Sequence, residues 1–384
     1  MIKYRIIKSV ESLQRALVDA DLSNAVIKGV DLTKLDIDWT KVNVRNATFA
    51  GCRLKSLTEE SILREGKARL YSPFDDLPYD PFRSTLYTPH ELMDGYDPHD
   101  EKNNSLDRRI ENHFMEHGSH DPDIVEKLAQ TLHDYSIDTA IKDLLGIDEA
   151  TGMPLRKAVG IMGGHLARRD DPFYAKTARM AWMLGKAGYY VTSGGGPGIM
   201  EAANMGAYMA PYDEGHLAHA MSILSETPEY ADENGRLDHG YVEQALRVLE
   251  KYPKGAESLA IPTWFYGHEP VNLFASHIAK YFSNSVREDG LLAISIYGIV
   301  YAPGSAATAQ EVFADAAQNH YGTFDYISPM VFLGTSHYLL SQIYSCLAQQ
   351  AAGHPYAQMI TINDEPEKLL RFIQKNPPIR MRPM

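Results

Sequence analysis

Two glycine-rich segments hold the residues whose types and spacing could do chemistry. The first is Ser193-Gly-Gly-Gly-Pro-Gly-Ile-Met200, which follows a predicted strand. Consecutive glycines let the backbone turn sharply and bring bare N–H groups close to a ligand. A helix predicted to begin near Gly198 adds the positive end of its dipole. Together these features predict a site for a phosphate group.

The second segment is Ala302-Pro-Gly-Ser-Ala-Ala-Thr-Ala-Gln-Glu311, which also follows a predicted strand and opens a predicted helix. Thr308 can either cap that helix or donate a hydrogen bond to phosphate. Glu311 is predicted in the first helical turn, where its carboxylate faces the same mouth. The helix dipole also stabilises a carboxylate at this position, so a capping role for Glu311 is the alternative.

The elements that must position these segments alternate between strand and helix after Pro154. The predicted strands cover residues 158–162, 189–193, 258–262, 297–302, 329–333 and 358–362. The predicted helices cover residues 174–187, 198–209, 272–286, 308–318, 338–351 and 365–374. This order indicates an α/β fold with a parallel sheet covered by helices on both faces. Ligands of such Rossmann-like sheets bind at the carboxyl ends of the strands, where both glycine segments lie.

A smaller region precedes the Rossmann-like domain, which is assigned to residues 151–384. Within residues 1–70, apolar side chains recur every five residues. These positions are Leu22, Ile27, Leu32, Ile37, Val42, Ala47 and Cys52. Pentapeptide repeats, which coil as a small β-helix, have such a period, whereas helices and flat strands do not. A short irregular β segment with a chance pattern is the alternative.

Residues 71–150 are predicted to form a connector and a helical cap. Five prolines between Pro73 and Pro98 argue against a helix or a central strand, so residues 71–104 are expected to cross a surface. From Asp107 to Leu145, apolar side chains at helical spacing predict the cap.

The histidines of the chain form no metal-binding pattern. The two groups considered are His113, His117 and His120, followed by His216 and His219. The first group has no Cys or carboxylate partner at metal spacing, and the second lacks a third ligand. His277 and Lys280 are expected on the solvated face of the 272–286 helix. The sequence therefore predicts neither a metal nor a cofactor.

Composition limits the partners of this protein. A net charge of −13 repels phosphate backbones at long range, so no nucleic-acid partner is expected, although short-range dipoles still allow a small anion. The chain has no run of about 18 apolar residues, and its N-terminus does not resemble a secretory signal, so no membrane association is expected. Two distant cysteines, Cys52 and Cys346, exclude a disulfide framework and fit a cytoplasmic location.

Both glycine segments resemble those of the Lonely Guy family of nucleotide phosphoribohydrolases, long misnamed lysine decarboxylases. That family shows Gly-Gly-Gly-x-x-Gly-x-Met followed by Pro-Gly-Gly-x-Gly-Thr-x-x-Glu. The first string is complete at Gly194, Gly195, Gly196, Gly198 and Met200. The second matches at Pro303, Gly304, Thr308 and Glu311, with Ser305 and Ala307 in place of glycines. A β-carbon where the backbone needs a positive φ costs roughly 1 kcal/mol, so a reshaped loop is expected.

The resemblance covers about residues 155–340 and implies further site residues. The string Met162-Gly-Gly-His-Leu-Ala-Arg168 is similar to the family's first phosphate-side loop, so Gly164 and Arg168 are expected near phosphate or ribose. His165 has either that role or one in loop packing. In the family an arginine upstream of the second loop works with the loop's glutamate. Arg287 occupies that region here, if one residue is inserted near Gly290.

The implied reaction is hydrolysis of the N-glycosidic bond of a nucleoside 5′-monophosphate to free base and ribose 5-phosphate. Its oxocarbenium-like transition state needs a carboxylate near the anomeric carbon and a positioned water. Glu311 is the catalytic candidate, and Arg287 would hold Glu311 or the substrate. Backbone N–H groups of both glycine segments, with Ser305 and Thr308, would anchor the phosphate. The aromatic run 264–266 would either sandwich the base or serve as core or lid.

Other functions compete with this one. A non-catalytic nucleotide sensor or carrier on the same fold is favoured slightly by Ser305 and Ala307. A NAD-dependent dehydrogenase is disfavoured, because Gly163-Gly164 lacks the required glycine spacing. Decarboxylation is disfavoured because no lysine has a pyridoxal-type context. The resemblance also implies a homo-oligomer, a dimer or larger.

Overall fold

The computed structural model of the 384-residue chain describes residues 5–98, 104–148, 153–231, 237–267 and 269–381. The chain separates into two units. The N-terminal unit comprises Met1–Leu86 and Met115–Ala140, and the C-terminal unit comprises Tyr87–Phe114 and Ile141–Met384. The division into residues 1–70, 71–150 and 151–384 stays a prediction, and its second boundary lies outside the described residues.

The described residues form strands and helices throughout the chain. The strands are β1 (Arg5–Ile7), β2 (Ala25–Lys28), β3 (Thr48–Ala50), β4 (Arg69–Tyr71), β5 (Ala158–Met162), β6 (Tyr190–Ser193), β7 (Leu259–Ala260), β8 (His277–Ile278), β9 (Ile299–Tyr301), β10 (Tyr326–Ile327), β11 (Met330–Leu333), β12 (Ile360–Asn363) and β13 (Ile379–Arg380). The helices are α1 (Val10–Leu17), α2 (Leu57–Glu65), α3 (Pro89–Leu92), α4 (Leu106–Glu116), α5 (Ile124–Leu145), α6 (Pro172–Lys186), α7 (Ile199–Tyr208), α8 (Glu214–Leu224), α9 (His239–Lys251), α10 (Asn284–Ile294), α11 (Ala306–Tyr321), α12 (Thr335–Leu340), α13 (Ile343–Ala351) and α14 (Pro366–Lys375). None of the described helices is both long enough and apolar enough to cross a bilayer.

The N-terminal unit contains a parallel coil of short strands. Strands β1 to β4 pair in chain order, with Val26 opposite Thr48 and Thr48 opposite Arg69. All seven positions of the five-residue period pack into one hydrophobic core, five of them buried and two partly buried. The period therefore marks the inward side chains of a β coil, which is the first of the two alternatives that the sequence left open.

The described part of residues 71–104 has little regular secondary structure, as its prolines predicted. Among the described residues of 71–104, α3 is the only helix, and no strand lies beyond Tyr71. The side chains of Tyr79, Phe82 and Tyr87 are buried. Helices α4 and α5 follow, where the sequence predicted helical structure.

The C-terminal unit is built on a seven-stranded parallel sheet. Its strand order is β12-β11-β9-β5-β6-β7-β8. Strands β5 to β8 follow one another toward one edge of the sheet, and strands β9, β11 and β12 follow one another toward the other edge. This reversal between β5 and β9 is the position where such sheets bind ligands. Buried side chains of α6, α7 and α14 share one core cluster with the sheet. The predicted Rossmann-like α/β fold is confirmed.

Three local predictions were wrong or incomplete. The predicted helix 272–286 is instead edge strand β8 followed by α10, which begins only at Asn284. The Asn272 side chain accepts a hydrogen bond from the Phe274 amide, which favours a turn over a helix. The predicted 338–351 helix is divided into α12 and α13 at Gln342, whose φ is 61°. Helices α8 and α9 were not predicted.

Candidate functional site

Three loops meet at the carboxyl ends of the central strands. The Gly164 amide donates to the Pro303 carbonyl at 3.0 Å, which joins the loop after β5 to the loop after β9. The Ile199 amide donates to the Gly164 carbonyl at 3.1 Å, which adds the loop after β6. The structure thus brings together the three segments that the sequence singled out.

Two glycines are needed for this close approach. Gly198 has a φ of 69°, and a β-carbon there would lie 2.6 Å from the Gly164 carbonyl oxygen. A β-carbon on Gly304 would overlap the hydroxyl group of Thr308. Neither position can take a larger residue without moving a loop, so the glycines serve the contact between the segments.

The helices α7 and α11 begin at these loops without side-chain caps. Their N-cap residues are Gly198 and Ser305, and neither makes a side-chain capping hydrogen bond. The Ile199 amide of α7 already donates to the Gly164 carbonyl, so the amides open to an anion are those at the exposed start of α11. The dipoles of both helices favour an anion there. This arrangement suits the predicted phosphate site.

The start of α11 corrects three expectations. The helix begins at Ala306, so Thr308 is not its cap and Glu311 lies in the second turn rather than the first. The φ of Ser305 is −105°, and Ala307 lies inside the helix. Neither residue needs a left-handed backbone, so the cost expected from replacing the glycines does not arise.

Arg287 connects the first glycine segment to the second. Its Nε donates to the Ile261 carbonyl at 2.7 Å, and its Nη2 donates to the Gly194 carbonyl at 3.2 Å. Its Nη1 lies 3.6 Å from a carboxylate oxygen of Glu311. The arginine and the glutamate predicted to work together are therefore adjacent, although they are far apart in sequence.

The Glu311 carboxyl group lies in a desolvated position. The residue is 7% exposed, and burial raises the pKa of its carboxyl group to about 7. Arg287 lowers this pKa and Glu288 raises it, but both effects are smaller than that of burial. A carboxyl group with a pKa near neutrality can take up and release a proton at physiological pH.

A second buried glutamate faces the same arginine. Glu288 lies 4.0 Å from Arg287 Nη1. Its two oxygens accept hydrogen bonds from Asn284 Nδ2 at 2.8 Å and from Gln310 Nε2 at 2.7 Å. Asn284 Nδ2 also donates to the Tyr266 hydroxyl at 2.9 Å. None of these polar contacts was predicted, because Glu288 lies outside both glycine-rich segments.

Other predicted site residues fall into different places. Gly164 and His165 line an open pocket of about 270 Å³ with Pro303, Gly304 and Ser305. The Arg168 side chain instead pairs with Asp170 at 2.9 Å and with Glu229 on the surface. The structure does not bring its guanidinium to the glycine loops.

Residues of the first glycine segment are covered rather than open. Gly194, Gly195, Gly196 and Gly198 are buried, and Met200 is partly buried. The Met200 sulfur lies against Gly194, and a carboxylate oxygen of Glu269 lies against Gly196. An acidic side chain beside the loop opposes the approach of a phosphate group.

The aromatic run divides between core and surface. Trp264 is fully buried and donates its indole N–H to Asp107 at 2.9 Å, so it packs in the core and does not stack on a base. Tyr266 is 64% exposed and stays a candidate for base stacking. Lys280 is buried against Asp107 at 2.8 Å, which contradicts its expected solvated position. His277 is partly buried and contacts the Tyr190 hydroxyl.

A buried ion pair near the glycine loops was also missed. Arg169 binds both carboxylate oxygens of Glu201, at 2.9 and 2.6 Å, where α7 begins. The hydroxyl groups of Tyr174 and Tyr241 also donate to Glu201. The sequence offered only a glutamate in the first turn of a predicted helix, which is a common position for glutamate and does not identify its partners.

No cluster of three His, Cys, Asp or Glu side chains suited to a metal ion occurs within the described ranges.

Comparisons with known proteins give a distant likeness in fold. No family model matches the chain, and no curated protein matches it. A solved molybdenum cofactor binding protein from the phototrophic bacterium Rippkaea orientalis is 14% identical, with 57% of this chain and 96% of that chain covered and a TM-score of 0.36. A molybdenum cofactor carrier protein from Chlamydomonas reinhardtii is 12% identical, with 57% and 97% covered and a TM-score of 0.36. These values support no conclusion about ligand or activity.

Proposed function

We propose that this protein hydrolyses the N-glycosidic bond of a nucleoside 5′-monophosphate and releases free base and ribose 5-phosphate. The observation that supports the proposal most is the position of Arg287. One guanidinium contacts the carbonyl groups of Gly194 and Ile261 and faces the carboxylate of Glu311. It thereby lies between the first glycine loop and a buried acid.

The phosphate would bind at the open N-terminus of α11, beside the start of α7. The first-turn amides of α11 and the Thr308 hydroxyl would donate to its oxygens. Binding of the phosphate, which is remote from the reacting bond, would orient the sugar against Glu311. Tyr266 would contact the base from the exposed side.

Glu311 would act on the sugar and on water. As the bond from C1′ to the base nitrogen breaks, its electron pair leaves with the base and positive charge develops on the ribose. A nearby carboxylate stabilises that charge. Water then adds to C1′ and gives a proton to Glu311, which returns it to solvent or to the departing base. A carboxyl group with a pKa of about 7 suits both steps.

A non-catalytic nucleotide carrier or sensor is the second candidate. The observation that favours it is burial, because the glycines of residues 194–198 are buried and Glu311 is 7% exposed. A site closed in this way holds a ligand without giving water ready access.

Incubation of the purified protein with AMP, GMP, CMP, UMP and IMP tests both candidates. We expect release of free base from at least one nucleotide, and much slower release from the matching nucleoside without phosphate. Binding of nucleotides without any cleavage would support the carrier. If no nucleotide bound, both candidates would fail. The resemblance implies a homo-oligomer, which light scattering on the purified protein would test. The two distant cysteines fit a cytoplasmic location, which localisation of a tagged chain would test.

A further inference from the structure

Two carboxylate groups face the Arg287 guanidinium, and both face the same nitrogen, Nη1. The Nε and Nη2 of Arg287 are bound to backbone carbonyls, so Nη1 faces both Glu311 at 3.6 Å and Glu288 at 4.0 Å. Neither distance is that of a close charge-assisted hydrogen bond, which is about 2.8 Å. The two glutamates therefore share one cationic group, and neither binds it tightly.

The two carboxylates differ in their other partners. Each oxygen of Glu288 accepts an amide hydrogen, one from Asn284 and one from Gln310. The Glu311 carboxylate accepts no hydrogen bond from any side chain or amide of the described residues. The amide of Asn284 cannot be turned over, because its carbonyl oxygen would then face a Glu288 oxygen. Glu288 is thus held in place, and Glu311 is not.

We propose that Glu288 is a positioning residue that competes with Glu311 for the Arg287 guanidinium and so leaves Glu311 able to exchange a proton during turnover. This role of Glu288 concerns the same site as the proposed function and rests on that function, because turnover requires the proposed reaction. Without Glu288, the Arg287 charge would act on Glu311 alone. Glu311 would then stay ionised to lower pH.

Other groups around Glu311 do not account for this competition. The titratable or charged groups that face it from neighbouring elements are Arg287, Glu288, Tyr301, Tyr338 and Tyr266. The three tyrosines are neutral near pH 7. On the same helix, Asp315 is buried but accepts a hydrogen bond from the Tyr301 hydroxyl at 2.9 Å. Glu288 is therefore the fixed negative group nearest to the arginine that both glutamates face.

The test replaces Glu288 with glutamine, which keeps its shape and removes its charge. Infrared difference spectra of the full chain, with Glu311→Gln as the reference, identify the C=O stretch of protonated Glu311. In Glu288→Gln we expect the midpoint for loss of this band to fall by roughly one pH unit. The acid limb of base release should move by the same amount. Asp315→Asn is the matched control, with the Glu311 midpoint expected to stay unchanged.

The outcomes separate this proposal from the proposed function. An unchanged midpoint in Glu288→Gln would overturn the role of Glu288, whether or not a nucleotide is cleaved. A shifted midpoint in a protein that cleaves no nucleotide would support the competition and contradict the enzyme. If Glu288→Gln folds poorly, Glu288→Ala removes the same charge and has the same expected shift. Nucleotide phosphate also titrates near pH 6, but it contributes equally in all variants.

Discussion

Two buried arginine–glutamate pairs in the C-terminal unit differ in how completely their charges are hydrogen-bonded. Arg169 binds both oxygens of Glu201 and lies 3.3 Å from the centre of the Tyr241 ring, and two tyrosine hydroxyl groups complete the carboxylate. Arg287 and Glu311 lie 3.6 Å apart, and the carboxylate has no hydrogen bond from a described residue.

The two pairs therefore differ in how firmly hydrogen bonds fix the glutamate carboxylate. The fully bonded pair of Arg169 and Glu201 fixes the first turn of α7 beside the glycine loop. A loosely bonded carboxyl group has a pKa near neutrality and can change its charge. Burial alone therefore does not distinguish the two glutamates, whereas the number of hydrogen bonds to each carboxylate does.

The largest expected effect comes from breaking the pair of Arg169 and Glu201. Glu201→Gln leaves the buried Arg169 charge without its partner and is expected to lower the free energy of unfolding by about 3–5 kcal/mol. Urea unfolding measures this loss. Glu311→Gln is the matched variant, and above pH 7, where Glu311 has lost its proton in the folded chain, we expect little or no loss. Equal losses in the two variants would remove the distinction between the pairs.

The next effect is a pH dependence of stability that belongs to Glu311. Burial raises the pKa of its carboxyl group from 4.5 to about 7, so between these values the folded chain holds a proton that the unfolded chain has lost. The stabilisation is complete below about pH 4.5 and is lost as pH rises to about 7. It amounts to about 3 kcal/mol, because a difference of one in pKa corresponds to about 1.4 kcal/mol.

Urea unfolding of the wild type and Glu311→Gln at several pH values measures this contribution. The wild type should lose more stability than the variant as pH rises through that window. Asp315 gives a similar slope in both proteins, because burial raises the pKa of its carboxyl group to about 7 as well. Parallel curves for the two proteins would show that Glu311 does not titrate near neutrality.

The smallest expected effect concerns Glu269 beside the first glycine segment. Its carboxylate lies against Gly196, where it would repel a bound phosphate. Glu269→Gln is expected to tighten AMP binding roughly threefold at low salt, less at high salt. Glu65→Gln, an exposed position on α2, changes the net charge equally and should leave the affinity unchanged. Weaker binding in Glu269→Gln would mean that Glu269 helps to hold the ligand.

Sequence reasoning predicted the parts of the site that depend on local pattern. Glycines that follow strands, and helices that follow glycines, identify the loops at the sheet edge because parallel strands end on one side. Arg287 and Glu311 were paired by resemblance to a known motif, and the sheet places them together. The β coil could be inferred because its five-residue period is a local pattern within one continuous segment of the sequence.

The remaining contacts arise from tertiary packing that leaves no local pattern. Arg169, Glu201 and Tyr241 are dozens of residues apart, and nothing in their spacing links them. Lys280 was expected on the solvated face of a helix predicted over residues 272–286, yet Asp107 from a distant segment pairs with it. Glu288 follows Arg287 directly, but its role depends on amide groups from two helices, Asn284 on α10 and Gln310 on α11.

The central claim is that Glu311, held loosely by Arg287, acts on the glycosidic bond of a nucleoside 5′-monophosphate. Single-turnover release of base by the wild type and by Glu311→Gln, with nucleotide affinity measured in parallel, tests it most directly. We expect the variant to bind nucleotide within a few-fold of the wild type and to release base at least about a hundredfold more slowly. Equal rates of release in the two proteins, or no release by the wild type from any nucleotide that it binds, would contradict it.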